Sequence, residues 1–331
     1  MIAGFLAIVL FVLPLADVAW TKTFTSVAIY SVVAAGLGVL YGRVGMISLG
    51  QIAMLALATW IGARLSYATS LPFPLLLVLT GAITMAIGVL VGLPALRLSG
   101  LYLALITLMF AGAVNIVLTV FQFPNGGTGF IGHLSALNVE QIRDVRRPDI
   151  AVGDTAYYRY VVIVCAVMFG LAVLHIATKP GRAWAAIRQS EPAALAAGVN
   201  ITVYKLWAFA LASFMTGVAG CLLAAHQRQP SPFGFPTQDS ITLVATALIG
   251  GIYTLWGAIV AGVFFQLLPY IFTAEWGINT NILLIIFGAG LLQVLLTAPG
   301  GLAQQFPKDM ANLGRLIARG FRRITGLGQR A

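Results

Sequence analysis

Residues 181–209 read GRAWAAIRQSEPAALAAGVNITVYKLWAF. Arg182, Arg188, Glu191 and Lys205 crowd into this stretch, and long apolar runs flank it on both sides. The whole chain is 60% hydrophobic and only 8% charged, whereas a soluble domain carries about 25% charged residues. The stretch therefore reads as a water-facing interval between membrane crossings. Its local chemistry predicts two short helices. Pro180 and Gly181 break the preceding helix, and RAWAAIRQ forms the first turns after the break. Ser190 then serves as an N-cap, Glu191 suits the positive helix start and Pro192 is tolerated in the first turn. Alanines carry that second helix to Gly198, which fits the position just past its end.

Outward from this interval, apolar segments fall near 1–20, 23–41, 46–63, 71–95, 100–123, 159–178, 206–226, 240–251, 256–273 and 279–298. About 20 helical residues cross the hydrocarbon core, so the expectation is an all-α polytopic membrane protein with about ten transmembrane helices. The eighth segment is the shortest, and it decides between nine and ten. A β-barrel is excluded, because the runs are too long and lack period-two alternation. The first segment lacks the basic residues that open a secretory signal and is expected to remain as the first helix. Residues 1–300 then form one permease-like domain, and 301–331 form a basic tail.

The net charge of +10 does not indicate nucleic-acid binding, because the basic residues sit at segment ends and in the tail, as membrane topology requires. The intervals 179–205 and 301–331 are the most one-sidedly basic, and both are expected on the cytoplasmic side. Residues 138–159 hold four arginines balanced by four acids and lie one crossing away, within an external loop at 124–158. Parity then places both termini in the cytoplasm, with Lys22 and Arg64 as local violations. Ten crossings divide into five plus five, and two repeats of an odd number of helices must be inverted relative to each other. Glycine-rich interruptions at 36–50 and 249–257 suit either broken helices lining a path or close helix packing.

No catalytic or metal constellation is evident. NGGTGF at 125–130 lacks the Gly-Lys-Ser/Thr of a phosphate loop. His133, His175 and His226 are isolated from one another, which argues against a metal site. Cys165 and Cys221 lie in apolar runs as small hydrophobes. Asp17 is the one acid set within a strongly apolar run; it is either functional or within reach of interface water. Uncharged polar residues inside the segments are more numerous. Ser48, Gln51, Thr107, Asn115, Thr242, Thr246 and Gln266 suit a path for a zwitterionic solute or hydrogen bonding between helices.

The stretch 181–224 resembles the cytoplasmic coupling loop of branched-chain amino-acid ABC-importer permeases. There a Gly-Arg pair, an AIR stretch, Glu, paired alanines, and Gly followed by Asn and Tyr-Lys-Leu recur in this order. GRVGMISLGQIAM (42–54), LRLSGLYLALITLMF (96–110), NGGTGF and GGIYTLWGAIVAGVF (250–264) resemble further family segments. Two departures stand out. Pro192 follows Glu191, with Gly198 one residue later than in the wider importer motif. Tyr253 and Ala258 replace the family's Gly and Pro. The resemblance is to the longer of the two permease subunits and implies a type II importer fold. It also implies a coupling loop carrying Gly181, Arg182, Arg188, Glu191, Ala194 and Gly198, with Ala194 in a groove of an ATPase subunit. Partners implied are a homologous permease, two ATPase subunits that bind ATP and Mg, and a periplasmic binding protein, in a bacterial inner membrane. This chain itself would bind no cofactor and perform no bond chemistry. Substrates consistent with the resemblance are branched-chain amino acids, urea, short amides and aromatic acids. The alternative from the residues alone is an ion-coupled secondary carrier; the scarcity of central carboxylates counts against it. For the 181–199 stretch the alternative is an interfacial helix resting on lipid through Trp184, Ile187, Leu195 and Val199.

Overall fold

The computed structural model describes residues 17–96, 98, 100–120, 144–297, 301–303 and 305. The expected first crossing, the NGGTGF segment, His133 and most of the basic tail lie outside the described residues. Among those described, every regular element is helical.

Helix α1 spans Val18–Leu37 and continues as a π-helical turn, Gly38–Val44. Helices α2 (Gln51–Ala68), α3 (Phe73–Ala95) and α4 (Leu101–Val120) follow. Helix α5 spans Asp154–Ala177, and the short α6 (Lys179–Gln189) and α7 (Glu191–Ala196) lead into α8 (Ile201–Gln227). Helix α9 is Thr237–Gly250. Helix α10 starts at Leu255 and runs through two π-helical turns to Glu275, and α11 is Thr280–Thr297.

Six of these are long and apolar enough to cross a membrane: Val18–Val44, Phe73–Pro94, Leu101–Val120, Asp154–Ala177, Ile201–Gln227 and Leu255–Glu275. Helix α9, with 14 residues, is about 21 Å long, short of the roughly 30 Å hydrocarbon core. The second expected segment starts earlier than its hydropathy suggests. The carboxylate of Asp17 accepts from the backbone N–H of Val18 at 2.7 Å, so Asp17 caps α1, and Trp20 and Lys22 already belong to that helix. The third starts later, because residues 45–50 are unwound and Gly45 sits at φ +86°.

Helix α8 is the axis of the molecule. It packs on α3, α2 and α1, while α1 also packs on α5 and α10. Between helices in a membrane, close van der Waals approach replaces the hydrophobic drive, so small residues gather at the contacts. A Cβ on Gly217 of α8 would lie 2.8 Å from the Cα of Gly81 on α3. One on Gly62 of α2 would lie 3.0 Å from the Cα of Cys221. Both cysteines are buried and unpaired by disulfide. Further contacts join α2 to α3 and α4, and α9 to α10, α11, α2, α4 and α1.

Candidate functional site

Helices α6 and α7 form a hairpin at one end of α5 and α8. Three features of its sequence fix its shape. Any side chain at Gly181 would collide with the Ile176 backbone, so glycine there lets α6 fold back directly from α5. The Ser190 hydroxyl accepts from the Ala193 N–H at 3.4 Å, as an N-cap. At the far end Gly198 takes φ +79°. The Val199 N–H bonds Ala194 O at 3.0 Å and the Gly198 N–H bonds Leu195 O at 2.9 Å, the paired bonds of a Schellman closure.

The hairpin is anchored to its own chain through its apolar side. Trp184 is fully buried and its indole N–H donates to Tyr204 O at 2.8 Å. Burial of a side chain this size contributes about 3 kcal/mol. Ile187 is buried beside it. Trp184 and Ile187 therefore face protein, and a helix lying on lipid through them is not what the fold contains. Lys205 and Glu191 pair at 2.6 Å; with half of the Glu191 side chain exposed, this contributes less than about 1 kcal/mol.

The expected placement of Ala194 needs correction. It is 2% exposed, turned into this chain, because the Schellman closure wraps Val199 back over the end of α7. The accessible face includes Ala185, Gln189, Pro192, Ala193, Leu195, Ala196 and Ala197; Leu195 is 63% exposed. An open recess of about 570 Å³ lies beside it, lined by Leu96, Glu191, Leu195, Asn200 and Lys205 among others. Arg182 is exposed. Arg188 is exposed too, yet it is tied to the chain: its guanidinium donates to Gly42 O and lies over the Tyr253 ring, 4.7 Å from its centroid.

The opposite end of α5 is about 36 Å away, given its 24 residues. There residues 144–153 form a strap across α5 and α8. Arg147 has 5% of its side chain exposed and pairs with Asp154 at 2.7 Å. It also donates to Ala225 O and Val152 O and covers the Tyr157 ring at 4.5 Å. Tyr157 donates to Leu222 O at 2.6 Å, and His226 sits 3.2 Å from the Ser26 hydroxyl. Arg146 reaches Ser66 O and Thr69 O, and Asp144 pairs with Arg228 at 3.7 Å. Simple counting of arginines is therefore misleading here, since these charges serve the fold. Their sequence signal was the one-to-one balance with acids.

The polar residues proposed for a path divide in two. Ser48, Gln51 and Thr107 meet at the unwound 45–50 segment: the Thr107 hydroxyl accepts from Leu49 N–H at 2.8 Å, Ser48 lies two residues from Gly50 N–H, which it receives at 3.4 Å, and Gln51 Oε1 accepts from Thr216 at 2.9 Å. Asn115 donates to Phe235 O at 2.8 Å, away from that group. Thr242 and Thr246 bond within α9, to Gln238 O and Leu243 O, and Thr246 is fully buried.

The two glycine interruptions, far apart in sequence, meet in space. A side chain on Gly42 would strike Ile252 O, and one on Gly38 would lie 3.2 Å from the same oxygen. Sequence reading singled out both interruptions but had no signal for their contact.

The profile of the family described as branched-chain amino acid transport system / permease component matches residues 20–295. Two curated relatives, from Salmonella typhimurium and Escherichia coli, are each called high-affinity branched-chain amino acid transport system permease protein LivM. The chain is 31% and 30% identical to them, respectively, over 255 residues. The match covers 72% of this chain and 60% of each relative, so the chain spans about three-fifths of the length of the relatives it matches. No solved structure matches it significantly.

Proposed function

The chain belongs to the branched-chain amino acid transport permease family, and from that premise we propose that it is the membrane-spanning subunit of an ATP-driven importer. The observation that carries this reading is the α6–α7 hairpin. It is fixed to α8 by Trp184 and Ile187 yet leaves a small-residue face and the Leu195 side chain uncovered. A rigidly held helical face of that kind suits insertion into a partner's groove. The partner is an ATPase subunit, one of two, which binds the ATP and Mg. A homologous permease and a periplasmic binding protein complete the assembly in the bacterial inner membrane. This chain contributes passage, with no bond chemistry of its own.

On this reading the hairpin and both termini face the cytoplasm and the 144–153 strap faces outward, within the permease domain of residues 1–300; the remainder is a cytoplasmic tail. The helix pairings support two inverted halves of ten helices in all. Replacing α1, α2, α3 and α4 by α8, α9, α10 and α11 turns α1–α10 into α8–α3, α2–α3 into α9–α10 and α2–α4 into α9–α11, and each of these pairs is in contact. The path runs beside α2, α4 and α9, with Ser48, Gln51, Thr107, Asn115, Thr242 and Thr246 as its polar lining. Opening it exchanges their internal hydrogen bonds for bonds to water and to a zwitterion. The substrate is a branched-chain or related amino acid.

Reconstitution with candidate ATPase, second-permease and binding-protein partners tests the proposal. Labelled leucine, isoleucine or valine should accumulate only with ATP and with the binding protein. Uptake by the chain alone, driven by a proton or sodium gradient, would overturn it.

A further inference from the structure

The strongest unassigned feature is the place where three separate segments touch: the π-helical end of α1, the turn after α9 and the first hairpin helix. Gly42 brings the α1 backbone against Ile252 so closely that no side chain fits, and a Cβ on Gly38 would press on the same oxygen at 3.2 Å. Gly45, at φ +86°, ends the π-helical segment, and Gly251, at φ +104°, opens the turn. Backbones of this kind, with glycine at positive φ on both sides of a contact, change direction at little steric cost. Arg188 bridges all three segments. It extends from α6, donates to Gly42 O in the first break and lies on the Tyr253 ring in the second. Tyr253 in turn stands 6.3 Å from the Tyr41 ring.

We infer that Arg188 is a positioning residue that ties the coupling hairpin to a hinge made by the two glycine breaks, so that displacement of α6 moves 38–45 and 251–254 together. The inference builds on the importer reading, but it predicts a local effect that needs no ATPase. In the full chain in membranes, Arg188→Ala should raise amide hydrogen exchange at 42–46 and 251–254 and leave the 144–153 strap unchanged. In the assembled importer the same variant should bind the ATPase as the wild type does and hydrolyse ATP, while uptake falls about tenfold, within the usual range of coupling between sites. Tyr253→Leu, which leaves the bond to Gly42 O in place, should reproduce part of the defect. The double variant should be no worse than Arg188→Ala alone, because that change already removes the Tyr253 contact along with the bond to Gly42 O. Arg188→Lys, which keeps a cation and a donor, should recover most of the uptake.

Unchanged exchange at both glycine breaks in Arg188→Ala would overturn the inference, whatever the uptake. Loss of ATPase binding in Arg188→Ala, with exchange unaltered, would make Arg188 part of the partner's contact and also overturn it. Raised exchange at the breaks in a wild-type background that shows no ATP-driven uptake would support the hinge while sinking the importer reading.

Discussion

The strap at 144–153 and the hairpin at 179–205 flank the same helix, and both stand out in sequence as charged intervals in an apolar chain. They use charge in opposite ways. In the strap, Arg147 is nearly enclosed and satisfied by Asp154, two carbonyl oxygens and an aromatic face. In the hairpin, Arg182 is left in the open, Glu191 is half exposed and a row of small residues has no cover among the described residues. The difference is one of residual capacity. A segment whose polar groups are already paired closes a fold, whereas a segment anchored on one side and bare on the other has a surface to offer.

The comparison breaks most sharply at Arg147. Arg147→Ala removes the donor from the partly exposed Asp154 carboxylate and from Ala225 O and uncovers the Tyr157 ring, and should destabilise the fold by about 3 kcal/mol, seen as a lower unfolding midpoint in detergent. A variant as stable as the parent would mean that the strap is ornamental. Next comes Ala194→Asp, which buries an unpaired charge against the chain; a loss of roughly 3 kcal/mol is expected, with less folded protein in the membrane. Normal levels would show that Ala194 is accessible after all. One residue along, Leu195→Asp should leave folding unchanged and weaken ATPase association by about 2 kcal/mol, or about 30-fold, read by co-purification. The pair of adjacent variants therefore separates the inner side of α7 from its outer side. The smallest effect is expected from Gly198→Ala, where a Cβ at φ +79° costs about 1 kcal/mol. It should blunt coupling and leave insertion intact.

Much of the hairpin was legible in the sequence because its determinants are local. Ser190, Pro192 and Gly198 specify start and stop by short-range backbone chemistry, and each occupies its expected role. Which side of α7 faces the chain was not legible: four alanines in the five residues 193–197 give no hydrophobic stripe, and the decision between Ala194 and Leu195 rests on how the chain closes at Gly198 and Val199. Six of the ten expected crossings coincide with helices long and apolar enough to span a membrane, whereas their ends were not readable from hydropathy. Asp17 caps a helix that hydropathy divides at Thr21–Lys22, and the break at 45–50 is disguised by the apolar Met46, Ile47 and Leu49. The contact between the two glycine interruptions, and the turn of Arg188 toward them, depend on long-range packing that no local pattern encodes. The balanced charge of the strap was visible, but its meaning required knowing that Arg147 and Asp154 are partners.

The central claim is that the uncovered face of the hairpin receives an ATPase subunit. A photo-crosslinking residue placed at position 195, with a second placed at Ile150, which is 83% exposed on the strap, tests this directly in cells expressing the full assembly. The account predicts an ATPase adduct from position 195 and none from position 150. An adduct from position 150, or position 195 joined only to lipid while the complex is assembled and transporting, would contradict it.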